Sequence, residues 1–197
     1  MSNLVEPFSP QGMLHKGWTS KVLDYAIVCD WANKGNSLIV GDASGGLFAF
    51  EGFSGRTIWK NENIHNGGLL AMSISPDGNV IATSGQDGNV CFWDSNDGAE
   101  INILDLGKGW IEHLEWSPNG DFLAVAFSRN VLIFNPKGEE VWQSEDHSST
   151  VSAIRWSKIN EIATACYGKV TFFDCINNKI NQQLQWQGSL VSMELSP

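Results

Sequence analysis

The sequence predicts an all-β protein in which one unit of four short antiparallel strands is repeated along the chain. A turn related to Ser-Pro-Asp-Gly recurs at steps of 43, 42, 40 and 39 residues. Apolar and polar residues alternate on both sides of each turn, which is the period of a β-strand. Four strands in about 40–45 residues is the size of one blade of a β-propeller. The copies of the turn are Ala32-Asn33-Lys34-Gly35, Ser75-Pro76-Asp77-Gly78, Ser117-Pro118-Asn119-Gly120, Ser157-Lys158 and Ser196-Pro197.

Composition and charge restrict the classes of function. The chain has 197 residues, of which 42% are apolar and 17% charged, and its formal net charge is −10. Because a negative protein repels a phosphate backbone, nucleic acid is not an expected partner. The first residues contain neither a basic region nor a long apolar run, so we expect no signal peptide, no membrane association and a cytoplasmic location. The four cysteines lack Cys-x-x-Cys spacing and are predicted to be buried free thiols.

The first strand of each unit precedes the turn and carries two apolar positions that are two residues apart. The pairs are Cys29 and Trp31, Met72 and Ile74, Leu114 and Trp116, Ile154 and Trp156, and Met193 and Leu195. This spacing predicts one buried face on each first strand.

The second and third strands follow the turn and are joined by a tight hairpin. The second strands are rich in small and β-branched residues: Leu38-Ile39-Val40-Gly41, Val80-Ile81-Ala82-Thr83, Leu123-Ala124-Val125-Ala126 and Ile162-Ala163-Thr164-Ala165. Gly or Asn in each hairpin supplies the positive φ angle that such turns require; the hairpins are Ser44-Gly45-Gly46, Asp87-Gly88-Asn89, Arg129-Asn130 and Tyr167-Gly168-Lys169. A fourth strand, such as Arg56-Thr57-Ile58-Trp59, completes the unit.

These patterns predict a propeller over residues 21–197. The units span about residues 21–60, 61–104, 105–145 and 146–186, and residues 187–197 begin a fifth. About four and a half blades are therefore expected, as part of a ring of about seven. Residues 1–20 form an N-terminal segment in which Leu14 to Ser20 could supply the outer strand of the closing blade. A closed ring of four blades is the alternative, although it leaves no place for residues from 189 onward.

One segment resembles the WD-repeat family specifically: it runs from His65 through Ser75-Pro76-Asp77-Gly78 to Trp93-Asp94. The resemblance extends over roughly residues 20–197 in weaker copies. It implies a buried hydrogen-bonded tetrad that braces the blade, formed here by His65, Thr83, Asp87 and Trp93. The fourth copy keeps His147 and Thr164, with Tyr167 near the aspartate position and Phe173 in place of tryptophan. The first and third copies lack the histidine, so those blades are expected to rely on packing.

Two narrower resemblances bear on function. The stretches Trp110-Ile111-Glu112-His113 and His147-Ser148-Ser149-Thr150-Val151 look like bacterial single-propeller WD-repeat proteins, some of which are associated with metallochaperone-type GTPases. The segment Gly46-Leu47-Phe48-Ala49-Phe50 with Ser54-Gly55-Arg56 looks like the repeat of quinoprotein-type propellers. A small-ligand-linked or metal-linked propeller is therefore the alternative to a scaffold.

The main expectation is a non-catalytic scaffold that binds protein partners, with no cofactor and no metal. WD-repeat proteins commonly bind partners on the face that carries the loops between the fourth and first strands. The residues expected to bind on that face are Tyr25, Asn66, Gln86, Trp110, Arg129 and Tyr167. Trp110 is the strongest candidate, because it precedes an apolar residue that anchors the loop and because exposed Trp is frequent at binding hot spots. Self-association is expected if the ring is incomplete.

No residue pattern indicates catalysis. The chain has neither a G-x-S-x-G elbow nor a phosphate-binding G-x-x-x-x-G-K-[ST] loop. His113 with Glu112 and Glu115 could suggest acid–base or metal chemistry. On a strand, however, Glu112 and His113 are expected to point to opposite faces. A ring of charged residues is expected near one mouth of the channel, at one equivalent position of the first strands: Asp30, Glu115, Arg155 and Glu194.

Overall fold

Sixteen strands form four separate four-stranded antiparallel sheets in residues 17–196, which are the residues that this computed structural model describes. Blade 1 contains β1 (Ala26–Ala32), β2 (Ser37–Asp42), β3 (Leu47–Glu51) and β4 (Thr57–Asn61). Blade 2 contains β5 (Leu69–Ile74), β6 (Val80–Gly85), β7 (Asn89–Asp94) and β8 (Glu100–Asp105). Blade 3 contains β9 (His113–Trp116), β10 (Leu123–Phe127), β11 (Asn130–Phe134) and β12 (Glu140–Gln143). Blade 4 contains β13 (Ala153–Lys158), β14 (Glu161–Cys166), β15 (Lys169–Asp174) and β16 (Lys179–Gln185).

The blades follow one another in chain order. Within each blade, consecutive strands pair in an antiparallel ladder, and each first strand contacts the first strand of the next blade. The prediction of four-stranded antiparallel propeller blades is confirmed. A ring of about seven blades stays a prediction.

The hydrophobic core lies between the blades, because each sheet is apolar on both faces. Ile39, Leu47 and Ala49 of blade 1 pack against Met72 and Trp93 of blade 2. The same arrangement recurs at the next two boundaries. Blade 2 meets blade 3 through Val90, Phe92, Leu114, Trp116 and Leu123, and blade 3 meets blade 4 through Val131, Ile133, Trp142, Ile154 and Trp156. Burial of each such side chain contributes about 1.5–3 kcal/mol, so every blade depends on its neighbour.

Outer strands also bind the next blade through polar contacts. Trp59 of β4 donates its indole N–H to the carbonyl of Ser95 (3.0 Å), and Asn61 donates to the carbonyl of Gly98 (2.7 Å). Trp142 of β12 makes an equivalent contact with Asn178 Oδ1 at 2.9 Å. In blades 1 and 3, a tryptophan on the outer strand therefore reaches the turn between the third and fourth strands of the following blade.

Residues 17–20 repeat this contact in front of blade 1. Trp18 donates its indole N–H to the carbonyl of Gly52 (2.8 Å), and Ser20 donates to the carbonyl of Gly55. Gly52 and Gly55 hold the positions in blade 1 that Ser95 and Gly98 hold in blade 2. These contacts are similar to those that β4 makes with blade 2, although residues 17–20 contain no assigned strand. The expected outer strand begins at Leu14, outside the described residues, so this assignment stays a prediction.

The face of blade 1 that points away from blade 2 is covered only in part. Val40, Phe48 and Phe50 form a small apolar cluster there, against which Trp18 packs with a ring separation of 6.2 Å from Phe50. Cys29 on the first strand is exposed, so the expectation that all four thiols are buried was wrong. Cys91 and Cys166 are buried and Cys175 is half-buried. The physical reason is that no blade covers the first strand of blade 1.

The chain after β16 crosses the free face of blade 4. Residues 186–196 contain no assigned strand, although Ser152 donates to the carbonyl of Leu190 and Arg155 forms an ion pair with Glu194 (2.7 Å). Leu190 occupies the place that Ile111 and Val151 occupy in the preceding blades. A fifth unit from residue 187 therefore stays a prediction.

Replacement of Trp18 tests whether residues 17–20 stabilise blade 1. We expect Trp18→Ala to lower the free energy of unfolding by about 2 kcal/mol, because it removes both the ring over Phe50 and the hydrogen bond to Gly52. Urea denaturation followed by circular dichroism measures the change. Trp110→Ala, which removes an exposed tryptophan, serves as the control and should unfold like the native chain. Equal unfolding midpoints for Trp18→Ala and the native chain would contradict the assignment.

Candidate functional site

Four side chains of blade 2 form one hydrogen-bonded chain. The imidazole of His65, which is 2% exposed, lies with Nδ1 3.1 Å from Asp87 Oδ1 and Nε2 2.9 Å from Thr83 Oγ1. The indole N–H of Trp93 donates to the same Thr83 oxygen at 2.9 Å. The structure thus brings together the four residues proposed as a tetrad.

The direction of each hydrogen bond in this tetrad follows from its members. Burial lowers the pKa of His65, against the opposing effect of Asp87, so the imidazole is neutral near pH 7. Since the Asp87 carboxylate only accepts, Nδ1–H donates to it and Nε2 must accept. The Thr83 hydroxyl therefore donates to His65 and accepts from Trp93. No member of the tetrad is free to act on a substrate, which favours a structural role.

Asp87 connects the tetrad to the loop face. Its carboxylate also accepts the backbone N–H groups of Asn66 (2.9 Å) and Asn89 (3.1 Å). Burial raises the pKa of Asp87, but these N–H groups and His65 outweigh it and hold the pKa below its ordinary value. The loop before β5 and the β6–β7 hairpin are consequently held together by one ionised carboxylate.

Blade 4 has a reduced version of this network. His147 Nε2 lies 2.7 Å from Thr164 Oγ1, and Nδ1 lies 2.9 Å from the carbonyl of Arg129 in the preceding blade. Phe173 stands edge-on to the imidazole at 5.7 Å, whereas Tyr167 is 62% exposed and takes no part. The network in blade 4 thus crosses to blade 3 instead of returning to its own hairpin.

Blade 1 uses a different buried group, which sequence reasoning missed. Asp42 is fully buried, and its Oδ2 accepts the backbone N–H groups of Leu23 and Asp24 at 3.1 and 3.0 Å. Its Oδ1 accepts from Ser44 and from the Gly46 amide. The expectation that blade 1 relies on packing alone was therefore wrong. An Asp two residues before a Ser-Gly-Gly hairpin was the available signal.

The six residues expected to bind partners are spread over the loop face. Tyr25 and Tyr167, which are 82% and 62% exposed, belong to blades 1 and 4 and are far apart along the array. Asn66 is exposed, Gln86 is half-buried, and Arg129 forms an ion pair with Asp146. Of the six, Trp110 lines a depression of the described surface.

Trp110 is held in place by the residue that follows it. Ile111 is fully buried, and its backbone N–H and carbonyl bond to the Gly85 carbonyl (3.2 Å) and the Ser84 hydroxyl (2.8 Å) of blade 2. Trp110 itself remains 58% exposed. An anchored neighbour and an exposed ring are the features of a preorganised contact residue.

A depression of about 410 Å³ lies beside Trp110, between blades 3 and 4. Its lining combines the loop before β9, the β10–β11 hairpin and the loop before β13. The lining residues are Lys108, Gly109, Trp110, Glu112, His113, Ala126, Phe127, Ser128, Thr150 and Val151. Sequence reasoning missed Phe127 and Thr150, for which the only signal was their position at the loop end of a blade.

Glu112 and His113 both line this depression, and the alternation expected of two neighbouring strand residues does not apply to them. The physical reason is that β9 begins at His113, so Glu112 belongs to the preceding loop. Burial lowers the pKa of His113, with Glu112 opposing, so the imidazole is neutral near pH 7. Within residues 17–196 no group of three or more His, Cys, Asp or Glu side chains is placed to hold a metal ion.

Three of the four charged positions expected near the channel mouth do meet. Arg155 Nη2 lies 2.7 Å from Glu194 Oε1, and its Nη1 lies 3.8 Å from Glu115 Oε2, too far for a hydrogen bond. Asp30 is exposed on blade 1, and the ion pairs of Arg155 do not include it. Burial raises the pKa of Glu115 to about 7, although the charge of Arg155 opposes this.

The four blades and the tetrad define a partial β-propeller of the WD-repeat type. Residues 60–94, which contain the tetrad, match the family described as WD domain, G-beta repeat, and residues 114–195 match the Anaphase-promoting complex subunit 4 WD40 domain. A stretch of 76 residues, 39% of the chain, is 36% identical to the small ribosomal subunit protein RACK1 of Schizosaccharomyces pombe and spans 24% of that protein. Two parts of the chain thus match WD-repeat families, and together with the four blades these matches support a β-propeller of the WD-repeat type.

Solved structures share the fold at low sequence identity. A chain in the crystal structure of the mitotic checkpoint complex has a TM-score of 0.77 at 17% identity, over 88% of this chain and 55% of that one. The Cps50 (Swd1) β-propeller domain of Myceliophteria thermophila has a TM-score of 0.78 at 16% identity, over 90% and 61%. The computationally designed Ika8 protein has a TM-score of 0.75 at 17% identity, over 86% and 52%. The chain therefore spans about half to three fifths of these relatives.

The Thr83 hydroxyl gives a direct test of the tetrad. We expect Thr83→Val to lower the free energy of unfolding by about 2–4 kcal/mol, because it leaves both the Trp93 N–H and the His65 Nε2 unpaired in the core. Thr164→Val removes the partner of His147 Nε2 and a longer contact of 3.4 Å with the Thr171 carbonyl, but leaves no buried indole N–H unpaired, and should cost about 1–2 kcal/mol. Thr57→Val, at an exposed position of β4, is the matched control. Urea denaturation checks this order, and equal losses at positions 83 and 164 would contradict it.

The raised pKa of Glu115 predicts a pH-dependent stability. The folded chain keeps a proton on this carboxyl up to about pH 7, whereas the unfolded chain releases it near 4.5. Stability from this group therefore falls as pH rises between these values. We expect Glu115→Gln to be more stable than the native chain by about 1 kcal/mol near pH 8 and equal to it near pH 5.

Urea denaturation at both pH values measures this difference for Glu115→Gln, with the exposed substitution Glu140→Gln as the control. If the variant is no more stable than the native chain at the higher pH, ionisation of Glu115 does not lower the free energy of unfolding.

Proposed function

We propose that this chain is a non-catalytic WD-repeat scaffold that binds a protein partner on its loop face. The observation that carries the proposal is the depression beside Trp110, which an exposed aromatic residue and three loops from two blades form together. Exposed tryptophan on an anchored loop is typical of interface hot spots. The rigid stack of blades holds these loops in fixed positions, so little entropy is lost when a partner binds.

Charge supports a protein partner rather than a nucleic acid or an anionic membrane. The formal net charge of −10 repels phosphate groups at long range. The described part of the chain contains no helix long and apolar enough to cross a bilayer. A cytoplasmic location and self-association remain predictions.

The chemistry of the buried thiols supports a role without catalysis. Burial raises the pKa of Cys91 and of Cys175 to about 12, so both are protonated near pH 7 and poor nucleophiles. His113 is the half-buried imidazole of the depression, and no serine or threonine hydroxyl is hydrogen-bonded to it within residues 17–196. Acid–base chemistry there would have no activated nucleophile.

The relatives give limited support for assembly into a larger complex. The RACK1 relative is a small ribosomal subunit protein, as its name states. The aligned stretch is 24% of that protein, and membership of the same assembly does not follow for this chain. The narrower expectation of a bacterial single-propeller protein also stays a prediction.

A comparison of affinity-purified variants tests the proposal. The intact chain should retain at least one protein in stoichiometric amount, and Trp110→Ala should lose it. Phe53→Ala, which removes an exposed aromatic residue in the turn between β3 and β4, should keep it. Quantitative mass spectrometry of the bound fraction measures the difference. Equal retention by Trp110→Ala would contradict binding at this site. A metal or quinone found with the purified chain, together with no retained protein, would favour the ligand-linked alternative.

A further inference from the structure

A second depression adjoins the one beside Trp110. Its volume is about 440 Å³, and it is lined by Leu70, Glu112, His113, Thr150, Val151, Ser152 and Val191. The two share Glu112, His113, Thr150 and Val151. They therefore adjoin each other along blades 3 and 4, with Leu70 of blade 2 at the edge of the second, and we call the pair the blade 3–4 groove. Its outer end is at Trp110 and its inner end at Leu70 and Val191.

The outer end of the groove is apolar. Trp110, Phe127 and the buried Val151 all line it. The loop that carries Trp110 lies close to the Phe127 ring, since a Cβ on Gly109 would lie 2.7 Å from Phe127 Cε2. A space of this size and lining accepts one large aliphatic or aromatic side chain.

The middle of the groove carries a free negative charge. Glu112 is exposed and makes neither a hydrogen bond nor an ion pair with any residue from 17 to 196. His113 beside it is neutral near pH 7 and cannot compensate this charge. Arg155, whose charge acts on His113, is already paired with Glu194 and lies near Glu115. A carboxylate without a partner in a groove favours a cation from outside.

The positive charge of the lining lies at the other end. Lys108 lines the outer depression but not the second one. In the sequence, Trp110 lies between Lys108 and Glu112. The groove is therefore positive at its outer rim and negative toward its middle. This polarity favours one direction for a bound chain, in which a basic side chain points inward.

We propose that the blade 3–4 groove binds an extended peptide segment in which an apolar residue is followed by Lys or Arg. The apolar side chain lies between Trp110 and Phe127, and the basic side chain forms an ion pair with Glu112. The whole-chain charge of −10 attracts such a segment at long range. This proposal rests on the proposed scaffold function and names the chemistry of its partner.

Synthetic peptides test the charge preference with the intact chain. The probes are fluorescein-labelled ten-residue peptides of Gly and Ser that carry a central Leu followed by Arg, Gln or Glu. We expect the Leu-Arg peptide to bind at least about tenfold more tightly than the Leu-Glu peptide, with Leu-Gln between them. Fluorescence polarisation at low ionic strength measures the affinities.

Charge reversal in the chain provides the decisive comparison. Glu112→Lys should reverse the preference, so that Leu-Glu binds more tightly than Leu-Arg, and Trp110→Ala should weaken both. Glu140→Lys makes the same charge change at an exposed position of the outer strand β12 and should leave the order as in the native chain. Circular dichroism of each variant verifies that it is folded.

Three results would overturn the proposal. These are equal affinity for the three peptides, an unchanged preference in Glu112→Lys, and no saturable binding of any peptide up to about 1 mM. Tighter binding of a single-stranded RNA oligomer than of the Leu-Arg peptide would also overturn it. A partner retained in a Trp110-dependent way, together with one of these results, would leave the scaffold function standing and remove only the preference for a basic segment.

Discussion

Burial between neighbouring sheets is the constraint on which this structure depends. Each blade is a single sheet with two apolar faces, and it has no core of its own. Ile39 and Leu47 of blade 1 are dry only because blade 2 covers them. By contrast, Cys29 lies on β1 of the same blade, which no other described blade covers, and it is exposed. Stability is consequently a property of the stack and grows with each covered face.

Buried polar groups are arranged around this stack in different ways. In blade 2 one threonine hydroxyl connects His65 to Trp93, and Asp87 carries the network to the loops. Blade 1 achieves a similar connection with Asp42 alone, which binds the incoming chain at Leu23. Each solution satisfies backbone or ring N–H groups that would otherwise be unpaired in a low-dielectric core. The blades are thus similar in packing but not in their polar contacts.

The candidate binding groove is a product of the boundary between two blades. On the side of blade 3, the loop that carries Trp110 is held by Ile111, whose backbone is hydrogen-bonded to blade 2. On the side of blade 4, Thr150 and Val151 line the groove. The groove therefore joins loops that rigid neighbouring sheets position. Such a surface is preorganised for a partner, and its shape depends on the same packing that stabilises the fold.

The sequence by itself determined the features that depend on local order. Alternation with a period of two located the strands. The resemblance of the segment from His65 to Trp93 to the WD-repeat family identified side chains that meet within one blade. Only the tertiary structure decided which loops of different blades come together, such as those of Trp110, Phe127 and Thr150, and where β9 begins, which placed Glu112 and His113 in one groove. The physical reason is that periodicity records the two faces of a strand, whereas contacts across blades depend on how twisted sheets stack.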